Sequence, residues 1–154
     1  VDGTGDITHG LFYWDDAYPD SHLFADAEWL IRAKAPDFLL LHPMNVDDAG
    51  HKHGGNSVGY RNAARLQGDL LARHLPDWVE AGYTVIVTAD HGMGDDGNHA
   101  GPTPQETEVP FYTVGFRIGP DAPIKQTEIA GLVCRLMDID PGAMPSFDGA
   151  IERL

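Results

Sequence analysis

Helical periodicity and short unbroken apolar runs alternate along this chain. From about Ser21 to Lys34, Phe24, Ala27, Leu30 and Ile31 recur at spacings of three and four. That spacing predicts a helix with one apolar stripe, capped by Asp20 or Ser21 and ended by Pro36. DFLLLH, residues 37–42, is apolar without alternation, as a strand buried on both faces reads. A second helix is expected over about Val58 to Leu75, capped by Asn56 or Ser57, with Leu66, Leu70 and His74 on one face. Pro76 is expected to start a short second piece carrying Trp78 and Val79, which Gly82 stops. YTVIVTA, residues 83–89, is rich in β-branched residues and reads as a second buried strand. VPFYTVG, residues 109–115, reads as a third, with Pro110 at a sheet entrance or edge. TEIAGLVCRLM predicts the closing helix, with Thr127 as its cap. Residues 1–19 read as irregular, with LFYW as a short strand or a docked arm whose Phe12, Tyr13 and Trp14 pack in the core.

Buried strands alternating with helices predict an α/β fold: a mostly parallel sheet flanked by helices on both faces, in one domain spanning residues 1–154. In such folds ligands gather beyond the carboxyl ends of the strands. The loops that follow the first two strands are therefore the places to look for chemistry.

Charge narrows the possible partners. With 24 acidic against 10 basic residues the net charge is −14, which argues against an extended nucleic-acid surface. It does not argue against a small phosphorylated substrate held through metal ions, which offset negative charge. Cys134 is the single cysteine, so no intrachain disulfide forms, and its apolar setting AGLVCRLM predicts a buried helix position. The pattern contains no signal peptide and no membrane span, which fits a soluble protein, cytoplasmic or exported. The chain opens VDGTGDITHG without an initiating Met, which suggests a processed protein or a fragment.

Metal-type ligands crowd the two loops. DFLLLH leads into PMNVDDAGHKHGGNS, where Asp47 and His51 stand four apart, and YTVIVTA leads directly into Asp90 and His91, with His99 further on. Carboxylate and imidazole are the side chains that hold zinc and related ions in hydrolytic sites, about four to an ion. Five candidates exceed one site and suggest two ions. His53 reads as loop surface, and Asp95 and Asp96 as solvated. Gly50 and Gly92 are expected to allow tight turns beside the ligands, and Gly97 and Gly101 to let the His99 loop fold back.

These segments resemble the alkaline phosphatase superfamily, most closely its type I phosphodiesterase and nucleotide pyrophosphatase branch. Asp47, Gly50, His51 and Gly54 match D-x-x-G-H-x-x-G; Thr88, Asp90, His91, Gly92 and Met93 match T-x-D-H-G-M. His99 and Gly101 match G-x-H-x-G, and Glu106 or Glu108 precedes Val109 and Pro110 in the manner of E-x-x-V-P. The resemblance implies that Asp47, His51 and His99 bind one zinc and that Asp90 and His91 bind another, with manganese as the alternative metal. It implies a phosphodiesterase or nucleotide pyrophosphatase with a Thr or Ser nucleophile upstream of D-x-x-G-H. Only 46 residues precede Asp47, and Thr4, Thr8, Asp2 and Asp6 do not fit the expected strand and nucleophile module. The resemblance thus implies the C-terminal part of a larger catalytic domain, partnered by its own N-terminal segment. A phosphomonoesterase, a metal-dependent phosphomutase and a non-catalytic metal-binding domain stay open beside it.

Overall fold

The computed structural model describes residues 6–15, 17–119 and 123–154. Asp2 and Thr4 lie outside the described residues. Two units are distinguished. The first comprises the described residues of Val1–Tyr83 with His91–Val109, and the second Thr84–Asp90 with Pro110–Leu154.

The first unit is helical. Helix α1, Asp20–Lys34, has the predicted stripe: Phe24, Ala27, Leu30 and Ile31 are buried, with Leu23 beside them, but Pro19 and not Asp20 or Ser21 takes the cap position, with no side-chain cap bond. The stripe covers helix α3, Val58–Glu80, where Phe24 stacks on Trp78 with ring centroids 5.8 Å apart. Each such large apolar side chain contributes about 1.5–3 kcal/mol on burial. A polar pair closes the same contact, His74 Nδ1 lying 2.9 Å from Glu28 Oε2. Ser57 caps α3 as expected, its Oγ accepting from Tyr60 N–H at 3.0 Å. Pro76 does not break this helix, which runs on to Glu80. The proline forfeits one N–H bond, and the burial of Trp78 two residues later helps to offset that loss.

Between α1 and α3 lies α2, Asn45–His53, in a stretch expected to be a loop. Its start is joined to the start of α1. Asp20 Oδ1 accepts from the N–H groups of Met44 and Asn45, both at 3.3 Å, and Asp20 N–H donates to Asn45 Oδ1 at 3.0 Å. Gly50 therefore sits inside a helix and not in a turn. Its place is fixed by Met93, whose Cε lies 2.5 Å from where a Cβ would stand.

The second unit carries the strands. β1 (Val85–Val87) pairs with β2 (Tyr112–Val114), and β3 (Phe116–Ile118) with β4 (Ile151–Arg153). Both pairs are antiparallel, with Val85 opposite Val114 and Ile118 opposite Ile151. Gly115, at φ +90°, ends one ladder and begins the other. Helix α5, Ile129–Leu136, follows a 3-10 turn over Gln126–Glu128. That turn is closed by Glu128, whose carboxylate accepts from Lys125 N–H at 2.9 Å, and not by Thr127. Leu132, Phe116 and Phe147 form the core, flanked by Ile86, Phe111, Ile118, Ile124, Leu136 and Ile151. Arg135 holds the tail by donating to the carbonyls of Phe147 and Gly149. Cys134 is half-buried.

The expected mostly parallel sheet flanked by helices on both faces is not the architecture. Helices predominate, and the strands form two small antiparallel ladders. The physical reason lies in pairing. A strand buried on both faces needs a ladder partner for its backbone, and residues 37–42 form no strand and pair with none among the described residues. Two of their apolar side chains stay in solvent, Phe38 at 54% and Leu40 at 77% exposure, while Leu39 and Leu41 are half-buried. The aromatic arm is corrected likewise: Phe12 and Trp14 are exposed and not core, while Tyr13 donates to His42 O at 3.0 Å.

Candidate metal centre

The first unit gathers four predicted side chains. Asp47 and His51 are four apart on α2, so they lie one above the other on a single helix face. His51 Nε2 stands 3.4 Å from Asp47 Oδ2. His91 and His99 come from the loop over residues 91–103, far along the chain, and their Nε2 atoms stand 3.8 and 3.9 Å from Asp47 Oδ1. The two rings stack in parallel with centroids 3.6 Å apart. His51 lies 5.1 Å from His99, centroid to centroid. Asp47, His51 and His99 each offer one ligand atom within 4.8 Å of the others, a spacing that fits a single ion.

Backbone carbonyls select the tautomers. His51 Nδ1–H donates to Gly97 O at 2.7 Å, and His91 Nδ1–H donates to Gly92 O at 2.8 Å. A carbonyl only accepts, so the proton sits on Nδ1 and the lone pair is on Nε2, the atom facing Asp47. Metal-binding imidazoles are oriented in this way. Asp47 Oδ1 is buried and has no hydrogen-bond partner among the described residues. A buried carboxylate oxygen without a donor is costly by itself. With imidazole nitrogens around it, it is the donor set that a divalent cation satisfies.

The His99 loop is built tightly enough to aim these groups. Gly55 N–H donates to Gly94 O at 2.8 Å and Gly94 N–H to Asn98 O at 2.7 Å. Gly97 takes φ +79°, and a Cβ there would stand 3.0 Å from His51 O and 3.1 Å from Gly50 O. Gly92 abuts the main chain of Gln105 too closely for any side chain. Glycine is thus required at both positions by close approach of backbone.

Asp90 belongs to the second unit, where its carbonyl accepts from the Gln126 side-chain amide, as does that of Ala89 at 3.0 Å. His91, which the resemblance pairs with Asp90, has its Nε2 toward Asp47. His53, Asp95 and Asp96 are exposed as expected. Sequence reading treated Glu106 only as one of two matches to a motif. It is buried, and three donors of the turn after His99 converge on its carboxylate. The T-x-x-E capping box was the signal that could have singled it out.

A cluster of carboxylate and imidazole on a helix and a glycine-bound loop is a metal-binding arrangement of phosphoester-acting proteins. The chain belongs to the type I phosphodiesterase / nucleotide pyrophosphatase family of the alkaline phosphatase superfamily, whose family model matches residues 7–102. Among curated proteins it is similar to GPI ethanolamine phosphate transferase 2 of Eremothecium gossypii, 31% identical over 104 residues, which are 68% of this chain and 13% of that protein. The protein of the same name from Debaryomyces hansenii is 32% identical over 71 residues, 46% of this chain and 8% of that protein. The catalytic subunit of human GPI ethanolamine phosphate transferase 3 is 30% identical over 95 residues, 60% of this chain and 8% of that protein. The chain therefore spans only a small part of the length of these relatives. No solved structure matches it. Among the described residues, no helix is long and apolar enough to cross a membrane.

Proposed function

We propose that this chain carries the metal-binding part of a phosphoester-acting centre, in which Asp47, His51 and His99 hold a divalent ion. The single observation that supports this most is the buried Asp47 Oδ1, without a hydrogen-bond partner among the described residues and faced by imidazole Nε2 atoms. The donor set, one carboxylate and two imidazoles, suits zinc before manganese. It also leaves a position for substrate, as a catalytic and not a purely structural site does. A bound divalent ion supplies positive charge beside a phosphoryl oxygen, the kind of stabilisation on which phosphoryl chemistry depends. Asp47 brings negative charge to the ion, and the carbonyl-held tautomer of His51 keeps its lone pair aimed there.

The family resemblance adds a second ion on Asp90 and His91, completed by groups from elsewhere in the whole protein. On this reading the attacking Thr or Ser hydroxyl comes from another part of the whole protein, and the substrate is a small phosphorylated molecule, a phosphodiester or nucleotide. A second reading replaces water by an alcohol as the acceptor of the phosphorus-bearing group. The similarity to proteins named as ethanolamine phosphate transferases favours it. Calorimetric titration of the 154-residue chain with zinc tests the metal site. The expected result is one tight equivalent, largely lost in His51→Ala, followed by a weaker second. Equal affinity in His51→Ala and wild type would remove the role given to that residue.

A further inference from the structure

The short helix α4, Pro104–Thr107, adjoins the cluster without contributing a ligand. Its Glu106 is 9% exposed. One carboxylate oxygen, Oε1, accepts from Gly101 N–H at 2.8 Å; the other, Oε2, accepts from Thr103 N–H at 3.3 Å and from the Thr103 hydroxyl in a short bond. These bonds, with the Thr103 hydroxyl foremost, hold its carboxyl below the usual carboxylate range, opposed by desolvation and the nearby Asp96 charge. The side chain is thus an anion that closes the turn beginning two residues after His99. Its main-chain carbonyl accepts from Gly92 N–H at 2.8 Å, and Gln105 O accepts from Met93 N–H at 2.9 Å. The loop that carries both histidines is therefore bound to α4 at each end, by main chain after His91 and by the Glu106 carboxylate after His99. Gly101 fits this closure closely: a Cβ there would stand 2.5 Å from Oε2 and 2.8 Å from Oε1.

We propose that Glu106 is a positioning residue of the metal centre, its carboxylate clamping the Gly101–Thr103 turn and so holding His99 opposite Asp47. The inference rests on the metal reading given above. It differs from a purely structural role in one measurable way: a residue that acts through His99 has nothing left to position once the imidazole is gone.

The test is a double-mutant cycle on zinc affinity by competition titration. Glu106→Gln keeps the shape but turns one acceptor oxygen into a donor facing N–H and O–H groups. It is expected to weaken zinc about 10–100-fold in the wild-type background, the usual range for supports behind a ligand. The same loss is expected in His51→Ala, and less than about a threefold loss in His99→Ala, as coupled residues require. The cobalt-loaded Glu106→Gln protein should show a ligand-field spectrum like that of His99→Ala. Should Glu106→Gln fail to fold, Thr103→Val removes a single donor to the carboxylate and enters the same cycle with the same expected pattern. Equal losses in every background, or no loss in any, overturn the inference while leaving the metal reading intact. Absence of zinc binding by the wild-type chain overturns both.

Discussion

Replacing Gly97 by alanine probes the link between backbone and ligand most directly. The residue has φ +79°, where an L side chain costs about 1–2 kcal/mol. Its new Cβ would stand 3.0 Å from His51 O and 3.1 Å from Gly50 O, both on the main chain of α2. Neither oxygen can swing away as a side chain would, so the loop must move outward by a few tenths of an ångström. The carbonyl of the same residue accepts the 2.7 Å bond from His51 Nδ1–H. Displacement weakens that bond and frees the ring to turn its Nε2 from Asp47. Loss of such support weakens metal binding about 10–100-fold, equivalent to about 1.4–2.7 kcal/mol. Gly82→Ala is the control. It has φ +91° but open space around its Cβ, so it carries the backbone strain without the displacement. Both variants should lose stability in chemical denaturation, Gly97→Ala the more, while zinc competition shows a weakened Kd only for Gly97→Ala. A Gly97→Ala protein whose zinc Kd stays within about twofold of wild type would refute the role given to the carbonyl.

Other perturbations separate the two units and test the buried acid. Leu132→Ala empties a fully buried position of the second unit and should destabilise that unit by about 2–5 kcal/mol; urea denaturation monitored there should show it, with the zinc Kd of the first unit unchanged. Burial raises the carboxyl pKa of Asp20 above its ordinary value of 3.8, partly opposed by the Met44 and Asn45 amides. The folded state then holds its proton to higher pH than the unfolded state, so stability is lost as pH rises through the window just above 3.8. Asp20→Asn should abolish that decline, and thermal melts of both proteins across the window should diverge with increasing pH. Chelation with EDTA should lower the melting temperature of the zinc-loaded first unit, since a ligand bound only to the native state stabilises it; no change would count against a preformed site.

Helix α1 was legible nearly to the residue because its stripe is regular and its proline stop is a local feature; its start was not, since Pro19 and not Asp20 or Ser21 takes the cap position. The grouping of Asp47, His51 and His99 was legible because residue type and spacing carry the chemistry. Helix α2 was not read, since its glycine and polar residues mimic a loop. Only the four-residue interval between Asp47 and His51 signalled it. Sheet topology was misjudged for a different reason. An apolar run states that a strand wants burial, but not which partner it finds or in which direction. YTVIVTA and VPFYTVG do contain strands, β1 and β2, but these pair antiparallel with each other. DFLLLH, equally apolar, finds no ladder partner among the described residues.

Met93 lies one residue beyond Gly92, is 6% exposed, and rests on the bare backbone of Gly50 in the middle of α2. An oily hinge pin of this kind sets the gap between α2 and the histidine-bearing loop by shape, with no charge involved. The nearness of Asp47 to His51, His91 and His99 thus leans on apolar packing as much as on hydrogen bonds.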